Sequence, residues 1–150
     1  MNIVDYDNIE LLLVEDSEHD AEMTIRALRR GHLTNKLFWV KDGTEALDFV
    51  RCQGAFSGRN PRELPKLVLL DLKMPLLGGI EVLRELKADP KTSDIPIVVM
   101  TSSNQDRDVT ESYRLGVNGY VTKPVQLAAF MEAVAQIGMY WLQTNQRPLK

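Results

Sequence analysis

At 150 residues, 44% hydrophobic and 26% charged, the chain has the length of one domain with a real core, far from the composition of disordered segments. A net charge of -3 argues against binding nucleic acid, whose phosphates demand a basic surface, and one cysteine (Cys52) with two histidines (His19, His32) excludes an internal disulfide, a CxxC pair and a zinc set. No apolar run reaches the ~18 residues of a membrane span, and Met1 to Glu10 carries acids and no basic segment, so a cytoplasmic protein without nucleic-acid or membrane partners is expected.

Short apolar runs alternate with longer helical patterns, the rhythm of parallel strands joined by helices. Ile9 to Val14 is the first predicted strand. Ser17 can cap a helix whose Ala21, Ile25 and Leu28 share one face and which Gly31 ends. Leu37 to Val40 reads as a weaker strand, and Thr44 to Cys52 as a short helix with Ala46, Leu47 and Val50 inward. Gln53 to Lys66 holds two glycines and two prolines and reads as a long surface loop. Leu67 to Leu70 is the third strand; Gly78-Gly79 precedes a helix carrying Ile80, Leu83 and Leu86, stopped by Asp89-Pro90. Ile97 to Met100 is the fourth strand, followed by Thr101-Ser102-Ser103 and a polar helix from about Asp106 to Leu115, stopped at Gly116. Gly119 to Val121 is a short fifth strand, and Val125 to about Gln143 forms the last helix. The pattern is one α/β domain with a core over about 9–143, an extension over 1–8 and a tail over 144–150, without internal repeat or second domain.

In a doubly wound sheet, ligands bind beyond the carboxyl ends of the strands. Glu15-Asp16, Asp71, Thr101 and Lys123 all stand at such ends. Alternation leaves strand order open, but right-handed crossovers put the carboxyl ends on one edge, which brings these groups near one another. Two unit negative charges ~4 Å apart repel by about 4 kcal/mol at an effective dielectric constant near 20, so the acidic trio calls for a divalent cation. Oxygen ligands without histidine or cysteine point to Mg2+, with Mn2+ as the alternative. The set suits phosphoryl transfer to a carboxylate, with Asp71 as nucleophile, Glu15 and Asp16 on the metal, Lys123 on phosphate oxygens, and Thr101 and the Ser102 N–H on the others.

At these residues the chain resembles the receiver domain of two-component response regulators. Glu15-Asp16 match its acidic pair, Asp71 its phosphoacceptor, Thr101 its switch hydroxyl, Tyr120 its switch aromatic, and Lys123-Pro124 its lysine and following proline. Asp71-x-x-Met74-Pro75 with Gly78-Gly79 also fits, and the landmarks occur in order from Leu11 to Met139. The resemblance implies a five-stranded parallel sheet ordered 2-1-3-4-5 with five helices (the flavodoxin-like arrangement), the backbone carbonyl of Lys73 as a further metal ligand, and a structural role for Pro124. It implies a sensor histidine kinase as partner. Phosphorylation of Asp71 would draw in Thr101 and turn Tyr120 inward, changing the face made by the fourth helix, fifth strand and last helix. The result is a timed switch and no turnover enzyme. The 53–66 loop, the N-terminal extension and Tyr140-Trp141 look most like stand-alone regulators paired with cyanobacterial phytochromes, so a phytochrome-type kinase is expected, with output through protein contacts or a phosphorelay.

Each group alone has an ordinary reading. Asp71 could begin a turn, Glu15-Asp16 could lead into a helix N-terminus favoured by its dipole, Lys123 could be a solvated loop charge, Thr101 a strand-end cap and Tyr120 a core residue. Their joint presence decides for the site. His19, His32, Cys52 and Trp39 read as structural, and Met74-Pro75 as shaping the loop. Two rivals weaken on inspection: a haloacid-dehalogenase-type phosphatase needs a second aspartate where Lys73 stands, and a phosphorylation-free scaffold would have lost an acid or the lysine. The last helix carries Leu127, Phe130, Met131, Val134 and Trp141 on one face, with Val125, Ala129, Ala133, Ile137 and Tyr140 widening it. A homodimer through this helix and the surface of the fourth helix and fifth strand is expected; the alternative is a tail folded over the excess. Too few residues follow Val125 for a DNA-binding output domain.

Overall fold

The computed structural model describes Tyr6 and residues 8–148, so most of the expected N-terminal extension and the last two residues of the tail lie outside the described residues. Strands β1 (Leu11–Val14), β2 (Leu37–Val40), β3 (Leu67–Leu70), β4 (Ile97–Thr101) and β5 (Gly119–Thr122) alternate with helices α1 (Glu18–Arg30), α2 (Gly43–Arg51), α3 (Gly79–Ala88), α4 (Asp106–Arg114) and α5 (Leu127–Gly138). A 3-10 turn occupies Gly54–Phe56, and α5 continues as a π-helical segment over Met139–Thr144. All pairings are parallel, in the order β2-β1-β3-β4-β5, as the resemblance implied.

The central strands are continuous apolar runs because helices cover both of their faces. Leu12, Val14, Val68, Leu70, Ile97 and Val99 point into one core with Ala46, Phe49 and Val50 of α2 and Val82, Leu83 and Leu86 of α3. Their neighbours Leu11, Leu13, Leu67, Leu69, Val98 and Met100 point into the other, against Ala21 and Leu28 of α1 and Phe130 and Val134 of α5. This period of two is the pleat of the strands read directly from side-chain direction. The register aligns Val14 with both Val40 and Leu70, and Leu70 with Val99. The ends of β1, β3 and β4 therefore lie side by side.

Four details differ from the sequence reading. β1 starts at Leu11, not Ile9: Ile9 is buried, while the Glu10 amide already bonds the Lys36 carbonyl at 2.7 Å outside the strand proper. α2 is shifted one residue earlier because Asp42 caps it, accepting the Glu45 N–H at 2.9 Å.

The 53–66 segment is not simply a surface loop. Phe56 is buried against Phe38, Phe49 and Tyr6, with ring centroids 5.2 to 5.6 Å from its own. Arg59 is 4% exposed. Its guanidinium lies 3.8 Å from the Phe49 ring centroid, donates to the Phe49 carbonyl and to the Glu63 carbonyl at 2.9 Å, and reaches Cys52 Sγ at 3.5 Å. An arginine buries this way when carbonyls and a ring face replace its water.

The breadth of apolar surface on the last helix also has a structural cause. α5 packs on the sheet and on α1 at once, so closely that a Cβ at Gly138 would lie 2.6 Å from Leu28 Cδ2. Ala133 and Ile137, expected at a dimer interface, are half-buried against this core. Leu127, expected to face the core, is instead 55% exposed, and the helix begins there, so Val125 precedes it in open solvent.

Candidate functional site

At the carboxyl edge of the sheet, β1 delivers Glu15, β3 delivers Asp71, β4 ends in Thr101 and β5 leads into Lys123. The ladder runs past the strand ends: the Asp71 N–H bonds the Val14 carbonyl at 3.0 Å and the Lys123 N–H bonds the Thr101 carbonyl at 2.7 Å. These backbone bonds fix where each side chain starts. Glu15 and Asp71 are buried and Asp16 is exposed, yet one carboxylate oxygen from each lies within 4.8 Å of the other two.

The Lys123 ammonium is the hub. It donates to Glu15 Oε1 at 2.6 Å, Asp20 Oδ2 at 2.8 Å and Asp71 Oδ2 at 3.2 Å. Burial would draw its pKa down, but hydrogen bonds to Asp20 and Glu15 and the Asp71 charge outweigh this and raise it. Burial acts the other way on Glu15: with the Asp71 carboxylate adding repulsion, it is pushed up to about 8 despite Lys123. Asp71 Oδ1 accepts the Lys73 N–H at 3.3 Å, so the loop after β3 curls back over the carboxylate. A glycine is required behind that loop, because a Cβ at Gly79 would meet the Asp71 carbonyl oxygen at 2.3 Å and Leu72 Cα at 2.7 Å.

Thr101 is fully buried and its Oγ1 accepts the Ser103 N–H at 3.4 Å. Ser102 is exposed beside it, and Pro124 is half-buried after Lys123. Tyr120 is half-buried against the core on the α2 and α3 side of the sheet, and its hydroxyl donates to the Ser103 carbonyl at 2.8 Å. Burial raises its pKa. The loop after β4 is further tied to α4, Ser103 Oγ donating to Asp108 Oδ2 at 2.5 Å with Lys73 Nζ 3.7 Å from the same oxygen. Trp39 is not merely packing: its indole N–H donates to the Glu15 carbonyl at 2.7 Å. Ala129 and Tyr140 are exposed on the last helix and its continuation and Val125 is exposed just ahead of it, whereas Ala133 and Ile137 are half-buried.

Asp20 is the residue missed in the sequence. It sits three positions after Ser17, a spacing that reads as a capping box. The Ser17 hydroxyl does accept the Asp20 N–H at 3.2 Å, but the Ser17 N–H turns to Glu15 Oε2 at 3.3 Å. That leaves the Asp20 carboxylate to reach Lys123.

Three carboxylates contact the Lys123 ammonium and a fourth, Asp16, lies close to two of them, an excess of acids over one ammonium that a hard divalent cation would balance. The acidic cluster of Glu15, Asp16 and Asp71 fits such a cation. A cavity of about 660 Å³ lies at the opposite, amino-terminal edge of the strands, between Glu10, Lys36, Arg62, Lys66, Asp94 and Arg147. Its wall charges are partly satisfied already, Lys66 lying 3.4 Å from Glu10.

Residues 11–135 match the response regulator receiver domain family. Response regulator Rcp1 of Synechocystis sp. is 39% identical over 138 residues, covering 92% of this chain and 92% of that protein. The probable methanogenesis regulatory protein FilR2 of Methanothrix harundinacea is 38% identical over 138 residues, covering 92% and 86%. Among solved structures, the phosphorylated cyanobacterial phytochrome response regulator RcpA superposes with a TM-score of 0.87 at 35% identity, covering 95% of this chain and 99% of that one. The manganese-bound form of Rcp1 superposes with a TM-score of 0.86 at 37% identity, covering 93% and 98%.

Proposed function

We propose that this chain, which belongs to the response regulator receiver domain family, accepts a phosphoryl group on Asp71 from the phosphohistidine of a sensor histidine kinase. The observation that carries this reading is the Lys123 ammonium at 3.2 Å from Asp71 Oδ2, with Glu15 and Asp16 gathered on the same carboxylate. In the transfer, a bond forms between an Asp71 carboxylate oxygen and phosphorus as the phosphorus–nitrogen bond to the histidine breaks, and the imidazole leaves with the electron pair. Lys123 neutralises the charge on the phosphoryl oxygens, while Thr101 and the Ser102 N–H receive the others. Glu15, Asp16, Asp71 and the Lys73 carbonyl would hold Mg2+, which when bound draws the oxygens of donor and acceptor together and offsets their repulsion. The all-oxygen donor set and the excess negative charge support that ion, and the manganese-bound form of Rcp1 is consistent with it.

Phosphorylation then acts as a switch. Thr101 moves toward the phosphoryl group, and Tyr120, whose hydroxyl already reaches the Ser103 carbonyl, turns further inward into the space vacated. The change is read on the face of α4, β5 and α5, where exposed Leu127, Met139 and Tyr140 favour a homodimer. Output passes to protein partners or to a relay histidine. The likeness to RcpA supports a phytochrome-type kinase as donor; the likeness to FilR2 makes kinase identity the informative comparison.

The test is incubation with magnesium and acetyl phosphate, followed by intact mass. One phosphoryl adduct, lost in Asp71→Asn and on chelation of the metal, is expected. Continuous phosphate release without an adduct marks an enzyme, and no adduct under any condition marks a scaffold. Phosphotransfer from a phytochrome-type kinase faster than from unrelated kinases supports the partner; equal rates remove it.

A further inference from the structure

An ammonium has three N–H donors, and in Lys123 all are committed, to Glu15, Asp20 and Asp71. Two of these acceptors have other work in a phosphorylated, metal-loaded site. Glu15 belongs to the acidic cluster that fits the cation, and the Asp71 carboxylate becomes an acyl phosphate, its hydrogen bond passing to a phosphoryl oxygen. Asp20 has neither claim. It is outside the group of carboxylates whose oxygens lie within 4.8 Å of one another, and it comes from the first turn of α1, not from a strand end. It is also closer to the ammonium than Asp71 is, 2.8 Å against 3.2 Å.

From this geometry we infer that Asp20 is the positioning residue for Lys123, the one acceptor that holds the ammonium before and after phosphoryl transfer. Its effect on the reaction passes through the lysine. The side chain of Lys123 has four methylenes and many rotamers, and an anchor that persists while Glu15 and Asp71 change partners keeps the charge aimed at the transferring group. The backbone arrangement supports the role: Ser17 binds the Asp20 N–H, and Thr24 Oγ1 donates to the Asp20 carbonyl at 2.8 Å, so Asp20 is fixed at both peptide groups. The inference rests on Asp71 being the phosphoacceptor.

Acetyl phosphate is the probe. The Asp71 oxygen–phosphorus bond forms as the bond from phosphorus to the acetate oxygen breaks, and acetate leaves. Phosphorylation rates are measured across a magnesium titration for the wild type, Asp20→Ala, Asp20→Asn, Lys123→Ala and the Asp20→Ala/Lys123→Ala double variant, each first checked for folding by its melting curve. Loss of one charge-assisted hydrogen bond predicts a rate about tenfold lower in Asp20→Ala at saturating magnesium. Asp20→Asn, whose amide oxygen still accepts from the ammonium, recovers most of it. In the Lys123→Ala background, Asp20→Ala causes no further loss.

A wild-type rate in Asp20→Ala overturns the inference. So does a defect that disappears at saturating magnesium, which makes Asp20 part of the cation site, and so does an undiminished defect in the Lys123→Ala background, which assigns it to the helix terminus. If the wild type itself takes no phosphoryl group, the reading of Asp71 fails instead, and the two failures are told apart by that first measurement.

Discussion

Glu15 carries the largest electrostatic tension among the acids of the site. Burial and the Asp71 carboxylate push it up to about 8, so between the ordinary carboxylate range and about 8 the folded chain holds a proton that the unfolded chain has released. Stability then falls as pH rises through that window. Metal-free wild type is expected to melt at a lower temperature at pH 8 than at pH 6, by on the order of 5 °C. Glu15→Gln should flatten the dependence, and magnesium should raise the wild-type melting temperature most at pH 8, because a cation then takes the place of the proton. Calorimetry of the two proteins, with and without chelator, checks this; equal slopes would remove Glu15 as the source. Asp71 was legible in sequence because it directly follows an apolar strand, and Lys123 because it stands just past the fifth strand, three residues after Tyr120 and before Pro124. Asp20 was not, since a first-turn acid three residues after a serine has an ordinary explanation in the cap. Only the diversion of the Ser17 N–H to Glu15 frees it, and that is a three-dimensional fact.

Among the elements, strands and helices were legible where period and punctuation agreed. β2 and β3 have the expected limits because apolar runs meet polar or proline-containing flanks at both ends. In the 53–66 segment two glycines and two prolines signal a surface loop and most of its residues are exposed, but Arg59 departs from that pattern because nearby carbonyls and the face of Phe49 accommodate its guanidinium, an arrangement composition does not reveal. The start of α3 is more tightly constrained than any helix signal suggests. Gly79→Ala would force the backbone of Asp71 and Leu72 apart from the new methyl group, costing about 2 kcal/mol by overpacking. It should lower both the melting temperature and the acetyl phosphate reaction rate, since the displaced peptide is that of the phosphoacceptor. Gly58→Ala, where a Cβ has nothing within 4 Å, is the matched control and should change neither.

Across the whole molecule, the outer surface of the last helix is what the sheet and α1 leave uncovered. Val125, Leu127, Met139 and Tyr140 are 102%, 55%, 56% and 49% exposed. Sequence periodicity overstated this face because it could not tell residues packed on the core between the sheet and the helices, such as Ala133 and Ile137, from those in solvent. For the dimer, sedimentation of wild type should give a twofold mass that Leu127→Asp with Tyr140→Asp reduces to one, with the acetyl phosphate reaction retained; a wild-type monomer at high concentration, with and without a phosphoryl analogue, would exclude it. The two tryptophans lie at different stations of this same molecule. Trp39 is bonded to the backbone of Glu15 at 2.7 Å, while Trp141 stacks edge-on with Tyr140, centroids 4.9 Å apart. The protein thus contains two native fluorophores: Trp39 emission should respond to divalent cation and vanish as a signal in Trp39→Phe, whereas Trp141 should respond to protein concentration, letting ion loading and self-association be followed separately without a label.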